Sequence, residues 1–335
     1  MSIIENECKE IIEKLNFEKL KNKSILITGG SGLVGLYLVN CLRQIKENLN
    51  LKISVWVKNE IEKNFETLFE NCELIKGDIT DTNLFNTLPS YDYIIHSAGY
   101  GQPNKFMDDK IKTISLNTTA TINLFKKLNI NGSFLFMSTS ELYNGLNNEF
   151  VKEYEIGSSN TDHPRGCYIE SKRCGEAICH SYSSTFNVKI ARLSLAYGPG
   201  TKINDQRVLN SLIQKGLEND KIELLDDGSA IRTYCYITDV IEMLFNIILH
   251  GKKVVYNIGG ESKISIFELS NLIGQQLKKN IVLPILKKEI IGSPKVVNIS
   301  TERYKKEFLK NNFVDLESGL IKTISWQKQL YEKNT

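Results

Sequence analysis

Tyr168 and Lys172 stand four apart in the run CYIESK, a spacing that puts both side chains on one face of a helix. A phenol with a pKa of about 10 is a poor base at neutral pH, and a neighbouring ammonium stabilises its phenolate. Such a pair can take the proton of an alcohol while hydride leaves the same carbon. The hydride needs an acceptor, and TGGSGLVG, Thr28 to Gly35, offers a place for one. Its glycines allow a tight turn and close approach of a pyrophosphate, and the helix after it presents free N–H groups to the phosphates. Gly29, Gly32, Leu33, Val34 and Gly35 are therefore candidate cofactor-binding residues. After the second strand, an Asp or Glu would grip the ribose 2′-hydroxyl, but this chain has Val57, Lys58 and Asn59. Lys58 suits a 2′-phosphate or is a solvated loop lysine, so NAD and NADP both stay open.

These residues need a frame, and the sequence supplies a repeating one. Short apolar runs at Ser24–Thr28, Lys52–Val57, Cys72–Ile75, Tyr93–His96, Ser133–Met137 and Val188–Leu193 read as strands. Helical stretches fall between them, notably Leu33–Lys46, Ile111–Leu128 and Tyr168–Phe186. Alternation of this kind predicts an α/β fold, a doubly wound Rossmann-type parallel sheet covered on both faces. Beyond Pro199 the pattern loosens into a smaller mixed C-terminal substrate lobe: a strand at Ile222–Leu225, another at Val254–Ile258, a helix at Ile266–Leu277, and short pieces over the last 60 or so residues. The expected organisation is an N-terminal helical extension over residues 1–23, a dinucleotide-binding domain over 24–199, and a predominantly substrate-binding lobe over 200–335 with segments returning to the first domain.

Several further pieces occur in order: GDITD from Gly77, IIHSAG from Ile94, KTISLNT around Asn117, MSTSELY from Met137, YGPG from Tyr197, RTYCYITD from Arg232 and YNIGG from Tyr256. With the glycine turn and the Tyr168–Lys172 pair, they make the chain resemble the extended short-chain dehydrogenase/reductase family from about Ser24 to Trp326. That family comprises nucleotide-sugar epimerases, dehydratases and decarboxylases. The resemblance implies adenine contacts at Asp78 and Ile79, a passage under the cofactor at Ser97 and Ala98, and a cofactor-side role for Asn117. It also implies that Thr139 hydrogen-bonds the reacting hydroxyl and that a nucleoside-diphosphate sugar is the substrate. Arg232 and Arg207 match positions near the substrate's charged groups, and a homodimer built on the helices around Ile111–Leu128 and Tyr168–Phe186 is implied in the same way.

The fate of the sugar after oxidation at C4 turns on three positions. Glu141 resembles the dehydratases and UDP-glucuronate decarboxylases, where simple 4-epimerases usually lack it; the plain alternative is a carboxylate capping a helix. Ser140 replaces the aspartic acid that dehydratases use as an acid, which is the decarboxylase pattern. Leu195 departs from that pattern, because the decarboxylases usually carry Asn there, close to the sugar. A decarboxylase-like enzyme, an epimerase and an NADPH-dependent 4-keto reductase all remain open. A reductase of a non-nucleotide carbonyl compound and a non-catalytic dinucleotide sensor are the readings from other classes; Arg207 and Arg232 speak against the first, and intact Thr139, Tyr168 and Lys172 against the second.

The remaining composition excludes more than it assigns. A net charge of +3, spread along the chain, gives no basic patch for nucleic acid. No segment approaches the ~18 uncharged apolar residues of a membrane span, and no leader peptide is read at the N-terminus. The seven cysteines include no C-x-x-C pair, and Cys167, Cys174 and Cys179 fit no zinc spacing, so no metal is expected. Reduced thiols in a cytoplasmic protein are the simpler expectation.

Overall fold

The computed structural model describes residues 3–146, 150–285, 292, 294 and 296–334. Seven strands form the main sheet: β1 (Ser24–Thr28), β2 (Lys52–Val57), β3 (Glu73–Lys76), β4 (Tyr91–His96), β5 (Leu128–Thr139), β6 (Asn187–Leu193) and β10 (Val255–Ile258). Their order is β3-β2-β1-β4-β5-β6-β10, and every neighbouring pair is parallel. Strands such as ILIT and ISVWV are apolar throughout because helices cover both faces and leave no solvent side for alternation. The order reverses between β1 and β4, so a crevice opens at the carboxyl ends of those two strands.

Three remaining strands and one strand pair complete the second region. β7 (Leu195–Tyr197), β9 (Ile231–Tyr236) and β11 (Ser262–Ser265) make a small mixed sheet, and β8 (Lys221–Glu223) pairs with β12 (Asn280–Val282). The helices, in chain order, are α1 (Ile3–Lys14), α2 (Leu33–Leu49), α3 (Pro103–Asp108), α4 (Lys110–Asn117), α5 (Thr119–Phe125), α6 (Gly166–Tyr182), α7 (Val208–Glu218), α8 (Ile237–His250), α9 (Ile266–Leu277), α10 (Glu302–Phe308) and α11 (Leu316–Asn334).

The N-terminal helix is bound into the core by one buried carboxylate. Ile4, Cys8 and Ile11 of α1 are buried, and Glu7 accepts from the Tyr37 and Tyr236 hydroxyls at 2.6 Å each and from Lys322 at 3.0 Å. One side chain thereby ties α1 to α2, to the end of β9 and to α11.

The structure differs from the sequence expectation in three places. The stretch predicted as one helix over Ile111–Leu128 is two, α4 and α5, interrupted at Thr118, whose φ of −115° and ψ of −76° leave the helical path. Leu128 itself begins β5, which starts earlier than the apolar run SFLFM because LNING, polar and exposed in part, still extends the strand. The final stretch expected in short pieces ends in the 19-residue helix α11. Its apolar positions are sparse, and Leu320, Ile324 and Leu330 are the ones it buries.

Candidate active site

The glycine turn is shaped as its spacing requires. Gly29 has φ +70°, and a Cβ there would lie 2.7 Å from the backbone N and Cα of Ala98. A Cβ on Gly35 would meet the Gly29 carbonyl at 2.3 Å, so the first turn of α2 rests directly on the loop after β1. Gly32 is different: its Cβ would meet only the Gly29 carbonyl, at 3.4 Å. Gly32 is the N-cap of α2, no side chain caps it, and no acidic residue stands in the first turn. The uncapped N–H groups of a 17-residue helix and the bare surface at Gly32 suit a pyrophosphate. Leu33 is buried and Val34 half-buried beside it.

The floor of the crevice is held by His96. Thr28 and His96 are register partners on β1 and β4. His96 Nε2 lies 3.0 Å from the Leu116 carbonyl, an acceptor only, so Nε2 carries the proton. Nδ1 then accepts from the Thr28 hydroxyl at 2.8 Å, and Thr28 in turn accepts from the Ala98 N–H at 3.1 Å. Ser97 donates to the Thr28 carbonyl at 2.6 Å. Burial, with the Lys172 charge adding to it, pushes the His96 imidazole down to about 3. It is a neutral structural relay that fixes Ser97 and Ala98 against Gly29.

Asp78 and Lys58 occupy the far end of the crevice. Asp78 follows Gly77, whose φ is +140°, and accepts from the Thr80 N–H and hydroxyl at 3.1 and 2.8 Å. Burial pushes its carboxyl up, but the Lys112 ammonium and Thr80 outweigh that and hold it at about 2. Lys58 lies 3.7 Å from the same carboxylate and 3.4 Å from the Tyr100 hydroxyl. The ammonium that the sequence offered to a 2′-phosphate is thus shared with Asp78. Ile79 is buried in the core. Asn117 is also buried, and its amide donates to Ser171 at 2.9 Å and to the Thr113 carbonyl at 3.0 Å. It clips α4 to α6, and its Oδ1 has no partner among the described residues.

The reacting residues meet where β5 ends and α6 begins. Thr139, the last residue of β5, lies beside the Tyr168 phenol and accepts from the Glu141 N–H at 3.2 Å. Tyr168 stacks on Phe106 of α3, ring centroids 4.4 Å apart and planes within 5°. Burial pushes the phenol up to about 12. Lys172, one turn along α6, donates to the Met137 carbonyl at 2.6 Å and lies 4.8 Å over the Phe136 ring, against 6.0 Å to the Tyr168 ring centroid. Burial lowers its ammonium to about 7. The lysine therefore stands near the tyrosine ring with its hydrogen bond committed to Met137 rather than to the phenol.

Beneath them lies a satisfied ionic layer. Arg192 pairs with Glu176 at 2.7 Å and donates to the Tyr143 hydroxyl and the Glu153 carbonyl at 3.0 Å each. Ser138 donates to Glu176 at 2.5 Å. This layer ties β5, β6 and α6 together directly under Thr139.

The sequence reading missed Arg165. Glu141 is ion-paired with it, the arginine 8% and the glutamate 20% exposed. The signal was present in HPRGCY as a basic residue one turn ahead of Tyr168, but nothing local shows that it turns back to Glu141. Ser140 opens the short 3-10 turn Ser140–Tyr143 beside this pair. Arg232 is buried and donates to the Ile231 carbonyl at 2.8 Å. Burial lowers its guanidinium from the usual value, with the Glu141 charge opposing and the Arg165 charge adding, so the three groups share one neighbourhood. Leu195, half-buried on β7, pairs in register with Tyr234 on β9. Arg207 is engaged elsewhere, bidentate on Asp205 at 2.5 to 3.0 Å.

The sequence profile of the NAD-dependent epimerase/dehydratase family matches residues 25–259. Among curated proteins, UDP-glucuronic acid decarboxylase 1 of Xenopus tropicalis is 28% identical over 326 residues, 92% of this chain and 73% of its own. Among solved structures, Pal from Bacillus thuringiensis is 26% identical with a TM-score of 0.77, over 92% of this chain and 99% of its own. UDP-glucuronic acid 4-epimerase from Bacillus cereus, crystallised with UDP-glucuronic acid and NAD, shares the fold at 23% identity and a TM-score of 0.77, over 92% of this chain and all of its own (100%). The chain belongs to the NAD-dependent epimerase/dehydratase family, as its motifs led one to expect.

Proposed function

Taking that membership as the premise, we propose that the chain oxidises C4 of a nucleoside-diphosphate uronic acid, UDP-glucuronate in particular, and releases its carboxyl group as CO₂ before hydride returns to C4. The observation that carries this reading is the charge set around Thr139 and Tyr168. Two guanidinium groups, Arg165 and Arg232, stand in a largely dewatered wall, with the Glu141 and Asp226 carboxylates both acting on Arg232. With Arg165 paired to Glu141, Arg232 is the group suited to meet a substrate carboxylate. The family's decarboxylases among the relatives support the same reading.

Tyr168 takes the proton of the C4 hydroxyl, which Thr139 holds in line. Held on the glycine turn Gly29–Gly35, NAD would supply a hydride acceptor for C4 and a positive charge that would favour the ionised phenol. The resulting ketone is β to the carboxyl group. The C5–carboxyl bond breaks with its electron pair passing into the C4 enolate, whose oxygen Tyr168 and Thr139 hydrogen-bond. C5 then gains a proton from solvent, the cofactor would give the hydride back to C4, and Tyr168 returns its proton to the C4 oxygen, so the cycle is redox-neutral. Residues 200–335 supply most of the nucleotide-sugar side of the crevice in this reading.

Leu195 favours a second outcome, a C4 epimerase that keeps the carboxyl group, because it removes an amide from the wall facing the sugar. Incubation with UDP-glucuronate and NAD, with mass spectrometry of the products, separates the two. Loss of CO₂ is the expected result. A product of unchanged mass and altered retention selects the epimerase, and a loss of two hydrogens with matching cofactor reduction selects a dehydrogenase. No product, with no cofactor reduction, sinks the proposal.

We also infer a homodimer, supported by the apolar surface that Ile111 (75% exposed) and Ile114 (39%) of α4 and Ile122 (37%) of α5 leave open. A cytoplasmic setting fits the seven free thiols.

A further inference from the structure

The buried pair Glu141–Arg165 is only half satisfied. Arg165 Nη1 donates to Glu141 Oε1, while Glu141 Oε2 and Arg165 Nε are buried with no partner among the described residues. Dewatering two charges costs several kcal/mol per ion, about as much as their attraction returns unless the remaining donors and acceptors are also met. A pair joined by one contact is thus a poor source of stability, and its unmet atoms call for another explanation. The pair also frames the reacting hydroxyls. Glu141 is tied to Thr139 by its N–H at 3.2 Å, and the Arg165 carbonyl accepts from the Tyr168 N–H at 3.0 Å. Each half of the ion pair is therefore tied to one of the two neighbouring residues, Thr139 and Tyr168. Arg165 has little freedom to leave: Gly166 behind it would drive a Cβ to 2.5 Å from the Thr161 carbonyl, and Gly292 packs against its aliphatic stem.

We infer that Arg165 is a positioning residue acting through Glu141: it anchors one carboxylate oxygen and leaves the other as an acceptor for the step after C4 oxidation. The identity of that step rests on the proposed function. The consequence is a division of labour. Oxidation depends on Thr139, Tyr168 and Lys172, whereas conversion of the ketone depends on Glu141 being held still.

Arg165→Met and Arg165→Lys in the full chain test this with UDP-glucuronate and NAD. Single-turnover absorbance of the reduced cofactor reads oxidation, and mass spectrometry reads the finished product. Arg165→Met is expected to keep oxidation within a few-fold of wild type and to lose product formation by roughly 10²-fold, the scale of a small misplacement of a catalytic group, so that reduced cofactor and ketone accumulate. Arg165→Lys keeps a cation and recovers much of the loss. Equal losses in oxidation and product, or no loss in either, overturn the inference. Crystal structures decide it independently of turnover: Glu141 leaves its place in Arg165→Met and keeps it in Arg165→Lys. A Glu141 that stays put in Arg165→Met refutes the positioning role. A wild-type protein that oxidises no nucleotide sugar would sink the proposed function while leaving this structural arm to decide.

Discussion

His96 sits beside the reacting residues with both ring nitrogens committed, one to Thr28 and one to Leu116. Its burial holds the folded-state imidazole at about 3, against 6.5 when unfolded. Because the unfolded state binds the proton first, His96 adds stability that is fully present above pH 6.5 and is lost as pH falls toward 3. Within that window the slope is ~1.4 kcal/mol per pH unit. His96→Gln keeps a donor and an acceptor but cannot titrate. Urea unfolding at about pH 6 and about pH 4 should therefore show a shallower loss in the variant by ~1.4 kcal/mol per unit; equal slopes would mean that His96 is charged in the folded protein. The motif IIHSAG announced the residue, and its neighbours could be guessed. The tautomer could not, since it depends on a carbonyl twenty residues away.

At the scale of elements, the β1–α2 turn separates two kinds of glycine. Gly35 is required by the protein, because a Cβ would enter the Gly29 carbonyl. Gly32 is not, because its Cβ meets only ordinary contact distance. Gly35→Ala should lower the melting temperature by several degrees as the turn shifts, the effect of ~1–3 kcal/mol of overpacking. Gly32→Ala should leave the melting temperature nearly unchanged and still weaken NAD binding tenfold or more by calorimetry, because the methyl group stands where the pyrophosphate approaches. Unaltered affinity in Gly32→Ala would remove this residue from the cofactor site. The sequence spacing placed all three glycines on one turn without distinguishing their duties; the distinction lies in which backbone atoms face each missing side chain.

At the scale of the whole molecule, α4 and α5 leave isoleucines partly exposed, Ile111 most of all. Ile111→Glu combined with Ile122→Glu should convert the proposed dimer to a monomer in light scattering, with the far-UV spectrum retained. A wild-type chain that is already monomeric at micromolar concentration refutes the pairing. The sequence by itself determined the doubly wound fold class, the glycine turn and the Tyr168–Lys172 spacing. Each of these is written in the period of a strand, a helix or a turn, and needs only near neighbours. The tertiary structure alone decided that Arg165 returns to Glu141 across 24 residues, that Asn117 clips Ser171, and that Lys58 and Lys112 converge on Asp78. It also brought β10 back beside β6 to close the sheet. These are contacts between elements whose separation along the chain carries no period, so they arise only once packing has set the distances and excluded the water.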